Sequence, residues 1–209
     1  NNLGIVLNEL GRLTKSEIAY RTCLTNDPRL YEGYQNLSIV LREQDRWGDA
    51  LATLDTWVER SGNADQARGE RALVRLQLED YARGWLEYEA RWSREGMITR
   101  SFGHPVWDGS DLNGKTLLIY AEQGIGDEIM FASCFPDLIA RAARVVIDCA
   151  PRLGPLFRRS FPTAMVFGTD PIASPGWVKI APPIDLEIAA GSVPRFLRLS
   201  PPDFPAKPY

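Results

Sequence analysis

Three carboxylates and two glycines crowd one short stretch, Tyr120-Ala121-Glu122-Gln123-Gly124-Ile125-Gly126-Asp127-Glu128. Gly124 and Gly126 let main chain approach a ligand closely, and a helix opening just after them offers unpaired N–H groups. Such a loop could take a phosphate. The G-x-G spacing begins a dinucleotide fingerprint, and Asp148 follows about 20 residues on, where a ribose-binding acid would stand. The third glycine of that fingerprint is replaced by Ile129. Glu122, Asp127 and Glu128 also surround the turn with negative charge, which repels a pyrophosphate at short range. A hydroxyl-bearing acceptor fits such a turn better, with Asp127 as candidate general base and Glu122 as a weaker one. Gly124 and Gly126 are then its acceptor or phosphate loop. Structural roles compete with each of these: Asp127 as a helix N-cap, Glu122 as a solvated or backbone-bonded carboxylate, Asp148 as a strand-end residue.

Little else in the chain has the residue types for chemistry. His104 is the one histidine. It stands before Pro105, which favours an extended backbone, in a connector where a surface or docking role is expected, so no Ser-His-Asp or Cys-His arrangement can be built. Cys23, Cys134 and Cys149 are odd in number, sit in apolar surroundings and form no C-x-x-C pair. They read as buried thiols of a cytoplasmic protein, with neither a disulfide framework nor a metal site. Charges are mixed along the chain, with 24 Lys and Arg against 27 Asp and Glu and a net charge of −3. That excludes the concentrated basic face nucleic acid requires. No apolar run reaches the ~18–20 residues of a membrane span, and no signal peptide is recognisable.

The elements that must position the acidic loop follow from periodicity. Thr116–Tyr120 is β-rich, 127–143 helical, 145–147 a second strand, 153–160 a second helix and 164–167 a third strand. Strand, helix, strand, helix, strand predicts a Rossmann-like parallel βαβαβ unit, and the loop after its first strand lies at the ligand crevice. Twelve of the fifteen prolines fall from Pro151 onward. This end is expected to have little regular structure and to cross over to something else.

The first hundred residues contain one proline, Pro28, and apolar residues at helical spacing such as Leu37, Val40, Leu41, Ala50, Leu54 and Val58. Leu3-Gly4, Gly11, Tyr20, Cys23 and Pro28 recur 34 residues later as Leu37-Ser38, Asp45, Leu54, Trp57 and Gly62, which is the tetratricopeptide period. A third pair near 65–79 and 82–94 is degenerate, with Asp80 in the place of Asp45 and Trp85 in that of Ala50. Trp85, Tyr88 and Trp92 share one helical face, either a core stripe against the neighbouring domain or a ligand-stacking surface. Arg42, Arg46, Arg71 and Arg75 form a basic patch or a solvated face. The expected organisation is helical repeats over 1–95, a connector over 96–114 and the α/β unit with its Pro-rich tail over 115–209.

Gly126-Asp127 followed by an apolar helix reaching Pro136 resembles the opening motif of heptosyltransferase-type glycosyltransferases. The run from Trp85 through Trp92, Trp107-Asp108-Gly109, Gly114-Lys115 and Glu122-Gln123-Gly124-Ile125-Gly126-Asp127 to Pro208-Tyr209 is similar to bacterial tetratricopeptide proteins that carry such a domain C-terminally. Those are architectural relatives of the protein O-N-acetylglucosaminyltransferases. The resemblance implies a GT-B fold of two Rossmann-like halves, acceptor in the first and nucleotide-sugar in the second, with Asp127 matching the acceptor-deprotonating base. The sequence opens inside a helix and stops where a second half would start, so it is expected to be a piece of a longer protein. It then holds no cofactor of its own and is inactive alone. Its partners would be a protein or peptide on the repeats and a glycan or protein acceptor. A non-catalytic scaffold and a dinucleotide-binding enzyme are the alternatives.

Overall fold

A shift of 34 residues places the helices of the first half on one another. The computed structural model describes residues 1–97, 99–170 and 175–205, in two units, Asn1–Arg94 and Glu95–Tyr209. In the first unit α1 (Asn2–Glu9) pairs with α2 (Leu13–Asn26), α3 (Tyr31–Glu43) with α4 (Trp47–Arg60), and α5 (Asp65–Gln77) with α6 (Tyr81–Tyr88), which passes into a 3₁₀ turn, Glu89–Ser93. α2 and α4 begin and end 34 residues apart, as do α3 and α5. The turn inside each pair uses one left-handed residue, Gly11 (φ +67°), Asp45 (+59°) and Glu79 (+60°). The next amide reaches back to a carbonyl five residues earlier: Arg12 to Leu7 at 2.8 Å, Arg46 to Leu41 at 2.9 Å and Asp80 to Arg75 at 2.9 Å. This closure satisfies carbonyls that a helix end leaves open.

The shared turn corrects the sequence register of the third pair. Glu79, not Asp80, takes the place of Asp45, and Gly84, not Trp85, stands where Ser16 and Ala50 stand. The small position is therefore kept throughout, because helices of a pair touch there. A Cβ on Gly84 would lie 2.7 Å from Leu76 Cδ2 and 3.2 Å from the Leu76 backbone nitrogen. Gly84→Ala is expected to cost roughly 1–3 kcal/mol through overpacking, read as a lower urea midpoint. Gly48→Ala, whose Cβ would meet nothing within 4 Å, should instead stabilise α4 by about 0.5–1 kcal/mol. Equal effects would show that close helix approach does not govern the position.

The core of this unit is apolar and continuous, with Tyr20, Leu37, Leu41, Leu54, Trp57 and Val74 buried in one cluster. Its arginines are not a free basic patch. Arg46 binds Glu17 at 2.7 Å as well as Asp49, Arg71 bridges Asp55 at 2.8 Å and Glu87, and Arg75 meets Glu87 at 3.0 Å. Arg42 lies over the Trp47 ring at 5.7 Å. Trp85 and Tyr88 are buried, edge to face at 5.5 Å, and the Arg91 guanidinium covers Tyr88 and Trp92 at 5.0 and 4.6 Å.

In the second unit β1 (Thr116–Tyr120), β2 (Arg144–Cys149), β3 (Met165–Gly168) and β4 (Leu186–Ala189) form a parallel sheet in the order β3-β2-β1-β4. β1 is buried along its whole length, as the continuous run Thr-Leu-Leu-Ile-Tyr suits a strand covered on both faces. The single helix expected over 127–143 is two helices, α7 (Ile125–Phe131) and α8 (Phe135–Arg141), separated by a 3₁₀ turn at Ala132–Cys134. Pro136 lacks an N–H and crowds the carbonyl four residues back, so it starts a helix instead of continuing one. α9 (Gly154–Ser160) follows β2.

The Pro-rich end carries more structure than its composition predicts. β4 lies between Pro183 and Pro194, and Pro194 occupies the first turn of α10 (Pro194–Leu197). Arg198 then fastens this segment to Asp137 of α8 (2.6 Å) and to the Ser133 carbonyl in the 3₁₀ turn before it (3.0 Å). Pro208-Tyr209 lies outside the described residues. Part of the expected connector belongs to the sheet: Val106 pairs with Glu187, with Trp107 N–H donating to the Glu187 carbonyl at 2.8 Å and Glu187 N–H to Pro105 at 2.9 Å. Buried Trp107 donates to Ser110 O at 2.8 Å and packs 4.9 Å from Phe196, with Gly109 (φ +93°) making the turn between.

Candidate functional site

In the order β3-β2-β1-β4 the chain reverses its direction of growth between β1 and β4, and ligand crevices form outside the carboxyl ends of such a pair. The acidic loop leaves β1 at that point. Glu122, at its base, is buried, and its Oε1 accepts the Gly191 N–H at 3.1 Å and the Gln123 amide at 3.1 Å. Gly191 sits in the turn that follows β4, so one carboxylate ties the two strand ends together. Glu122 is thus backbone-bonded, not solvated.

Gly124, in extended backbone, is the N-cap of α7, and Asp127 is its third residue. Asp127 is therefore not the N-cap that its sequence position suggests. Its Oδ2 accepts the Gly124 N–H at 3.2 Å, the backward half of a capping box. Its Oδ1 has no partner among the described residues, and the carboxylate is half-buried, next to exposed Gly124, Ile125 and Gly126. Glu122 and Gly124 in the loop after β1, and Gly126 and Asp127 in the first turn of α7, thus lie together at the switch point.

The other acids face inward. Glu128 is buried and its Oε2 accepts the Ala150 N–H at 2.9 Å. Asp148, opposite Tyr120 in the sheet, accepts Arg100 Nη2 at 2.7 Å and Trp177 Nε1 at 3.0 Å on Oδ2. The ribose-ligand alternative for Asp148 gains no support, since it is buried and held by internal donors. Arg100, Trp177 and Gly191 escaped sequence reasoning. Only the fold brings residues 100, 177 and 191 to the same end of the sheet as Asp148, and none of the three lies in a periodic or motif context. Cys134 and Cys149 are buried and Cys23 half-buried, correcting the expectation of three buried thiols. Burial, aided by the charges of Glu128 and Asp148, pushes the Cys149 thiol up to about 12, so it stays protonated and unreactive.

Burial also raises the Glu128 carboxyl above the usual glutamate range, and the charges of Glu122 and Asp148 add to it against the Ala150 hydrogen bond and Arg100. The folded protein then holds this proton more tightly than the unfolded chain does. Stability from this group is complete below the ordinary glutamate range and declines as pH rises through the raised folded value. Glu128→Gln keeps an acceptor for Ala150 and removes the charge. Its thermal midpoint should match the parent near about pH 4 and exceed it near neutrality. A variant less stable than the parent at neutral pH would contradict that assignment.

An open apolar groove of about 750 Å³ runs beside the site, lined by Ile129, Pro136, Ile139, Leu156, Phe157 and Phe161 and by none of the acids. Among the described residues there is no group of three or more potential metal ligands, and no helix long and apolar enough to cross a membrane.

Fold and site together define a tetratricopeptide-type helical repeat array followed by a Rossmann-like unit with an acidic switch-point loop. No family model matches the chain. It is 32% identical over 191 residues to Protein FlbA of Caulobacter vibrioides, a match covering 88% of this chain. The chain spans about a third of that relative's length, 32%. Among solved structures it is similar to a tetratricopeptide repeat protein from Parabacteroides merdae (TM-score 0.42, 20% identity, 46% of this chain and 38% of that one). It is also similar to an O-GlcNAc transferase mutant from Thermobaculum terrenum (TM-score 0.41, 17% identity, 82% of this chain and 34% of that one).

Proposed function

We propose that the α/β unit is the acceptor-side half of a nucleotide-sugar-dependent, heptosyltransferase-like glycosyltransferase of the GT-B type, acting in the cytoplasm. Asp127 is its general base, the Gly124–Gly126 loop its acceptor rim, and the repeats hold a protein or peptide. The observation that supports this most is the division of labour at the switch point. Glu122 is spent tying the turn after β4 to the loop after β1, while Asp127 keeps one carboxylate oxygen free at the open rim. A base needs such a free oxygen within reach of the proton it takes.

One observation favours a second reading, a non-catalytic scaffold. Glu122, Glu128 and Asp148 all make internal hydrogen bonds, so most of the acidity that suggests chemistry is structural.

A thermal-shift panel of UDP-, GDP- and ADP-sugars on the natural-length protein separates the readings. A donor at 100 times its Kd should stabilise the protein by about 2.7 kcal/mol. If no donor raises the melting temperature at saturation, the transferase reading fails and a peptide partner of the repeats becomes the function to seek.

A further inference from the structure

The first helix pair is open on the side where the second is covered. Residues 3–12 and 37–46 are identical at six of ten positions, including the Leu, Ile, Val and Leu of the apolar face. Yet Leu3 is 66% exposed where Leu37 is 3% exposed, and Val6 is 51% exposed where Val40 is fully buried. Since the side chains are the same, the difference lies in what covers them.

The grooves beside the two pairs show what is missing. Leu37, Thr53, Thr56 and Arg60 form one wall of a groove whose opposite wall is α2 of the preceding pair, through Arg21, Leu24 and Thr25, with Pro28 in the turn that follows it. The same repeat positions, Leu3, Ala19, Thr22 and Asn26, line an open groove of about 630 Å³ on the first pair. Among the described residues no helix stands there in the role α2 plays for α4. Exposed Leu10 and Ile18 enlarge the apolar face. Repeat arrays bury such faces by stacking, and an array's end is ordinarily polar.

We infer that this face takes a further helix pair of the same 34-residue repeat, supplied by the same polypeptide on the N-terminal side of Asn1. Its second helix lies along Leu3, Ala19 and Thr22 as α2 lies along Leu37, Thr53 and Thr56. A covalently attached pair fits because the match is to the internal repeat itself, position by position. The FlbA relative, of which this chain spans 32%, has ample length for another pair.

The test is thiol labelling of the natural-length protein in a Cys23→Ser background, comparing Val6→Cys with Glu59→Cys at an exposed site of α4. Val6→Cys is expected to react at least about tenfold more slowly, as for a site reached only by local opening, with a ratio independent of protein concentration. Equal rates overturn the inference. So does protection that disappears on dilution, which would make the occupant a second copy of the chain. Hydrogen exchange on the unsubstituted protein decides the same question should Val6→Cys fold poorly. α1 amides should be protected as α3 amides are, and exchange of α1 at the free-peptide rate overturns the proposal.

Discussion

Arg100→Ala is expected to lower the unfolding free energy by about 3–5 kcal/mol, the cost of removing one partner from a buried ion pair. The guanidinium donates to Asp148 Oδ2 at 2.7 Å and to the Ala121 carbonyl at 3.3 Å, and lies 5.0 Å from the centre of the Phe102 ring. Both side chains are almost wholly removed from solvent. Without Arg100, Asp148 retains the Trp177 indole N–H at 3.0 Å, while its Oδ1 already has no partner among the described residues. Adding Asp148→Asn should recover much of the loss, because a neutral amide is far cheaper to bury than a carboxylate. A double-mutant cycle should give a coupling of about 0.5–3 kcal/mol. Hydrogen exchange should place the loss in β1 and β2, and the hold on Ala121 predicts looser exchange in the acidic loop as well. A cost below about 1 kcal/mol, the range of exposed pairs, would show that the interaction is solvated and that Arg100 does not organise this end of the sheet.

That pair also marks where reading the sequence stops working. Periodicity carried the helix pairs because each depends on contacts three, four and seven residues apart, and the 34-residue repeat copies them with their turns. Its one register error, at Asp80 and Trp85, came from matching residue types; the left-handed backbone at Gly11, Asp45 and Glu79 sets the register instead. The first three strands were legible as apolar runs. β4 was not, because its four residues contain the charged Glu187 and lie among prolines. The fold tolerates Glu187 in a strand because its carboxylate accepts the backbone N–H groups of Phe102 and His104 at 3.1 and 3.2 Å. No local pattern announces a strand whose acid is satisfied from 83 to 85 residues away. The loop itself was legible from its glycines and acids. The partners of those acids were not, since Gly191 reaches Glu122 and Ala150 reaches Glu128 only through the parallel crossovers.

The acids of the loop have separable roles, and turnover separates them. In a natural-length protein that transfers a sugar, Asp127→Ala is expected to reduce kcat by about 10²–10⁴-fold, the usual contribution of a positioned general base. Donor binding should survive, because the proposed donor half lies outside this unit, so the nucleotide-sugar thermal shift should match that of the parent. Stability should change by about 0.5–2 kcal/mol, since the substitution also removes the hydrogen bond that Asp127 accepts from Gly124. Asp127→Asn is the sharper probe: it keeps an acceptor for Gly124 and loses the ability to take a proton, so it should be as slow as Asp127→Ala with near-parental stability. Glu122→Gln is the counterpart. Gln can still accept the Gly191 N–H, so a purely tying role predicts turnover within a few-fold of the parent. If Glu122→Gln is the slow variant and Asp127→Asn the fast one, the base is Glu122, and the buried tie across the switch point must open during the reaction. If both retain parental turnover, neither acid moves the proton, and the free oxygen of Asp127 serves only to hydrate the rim.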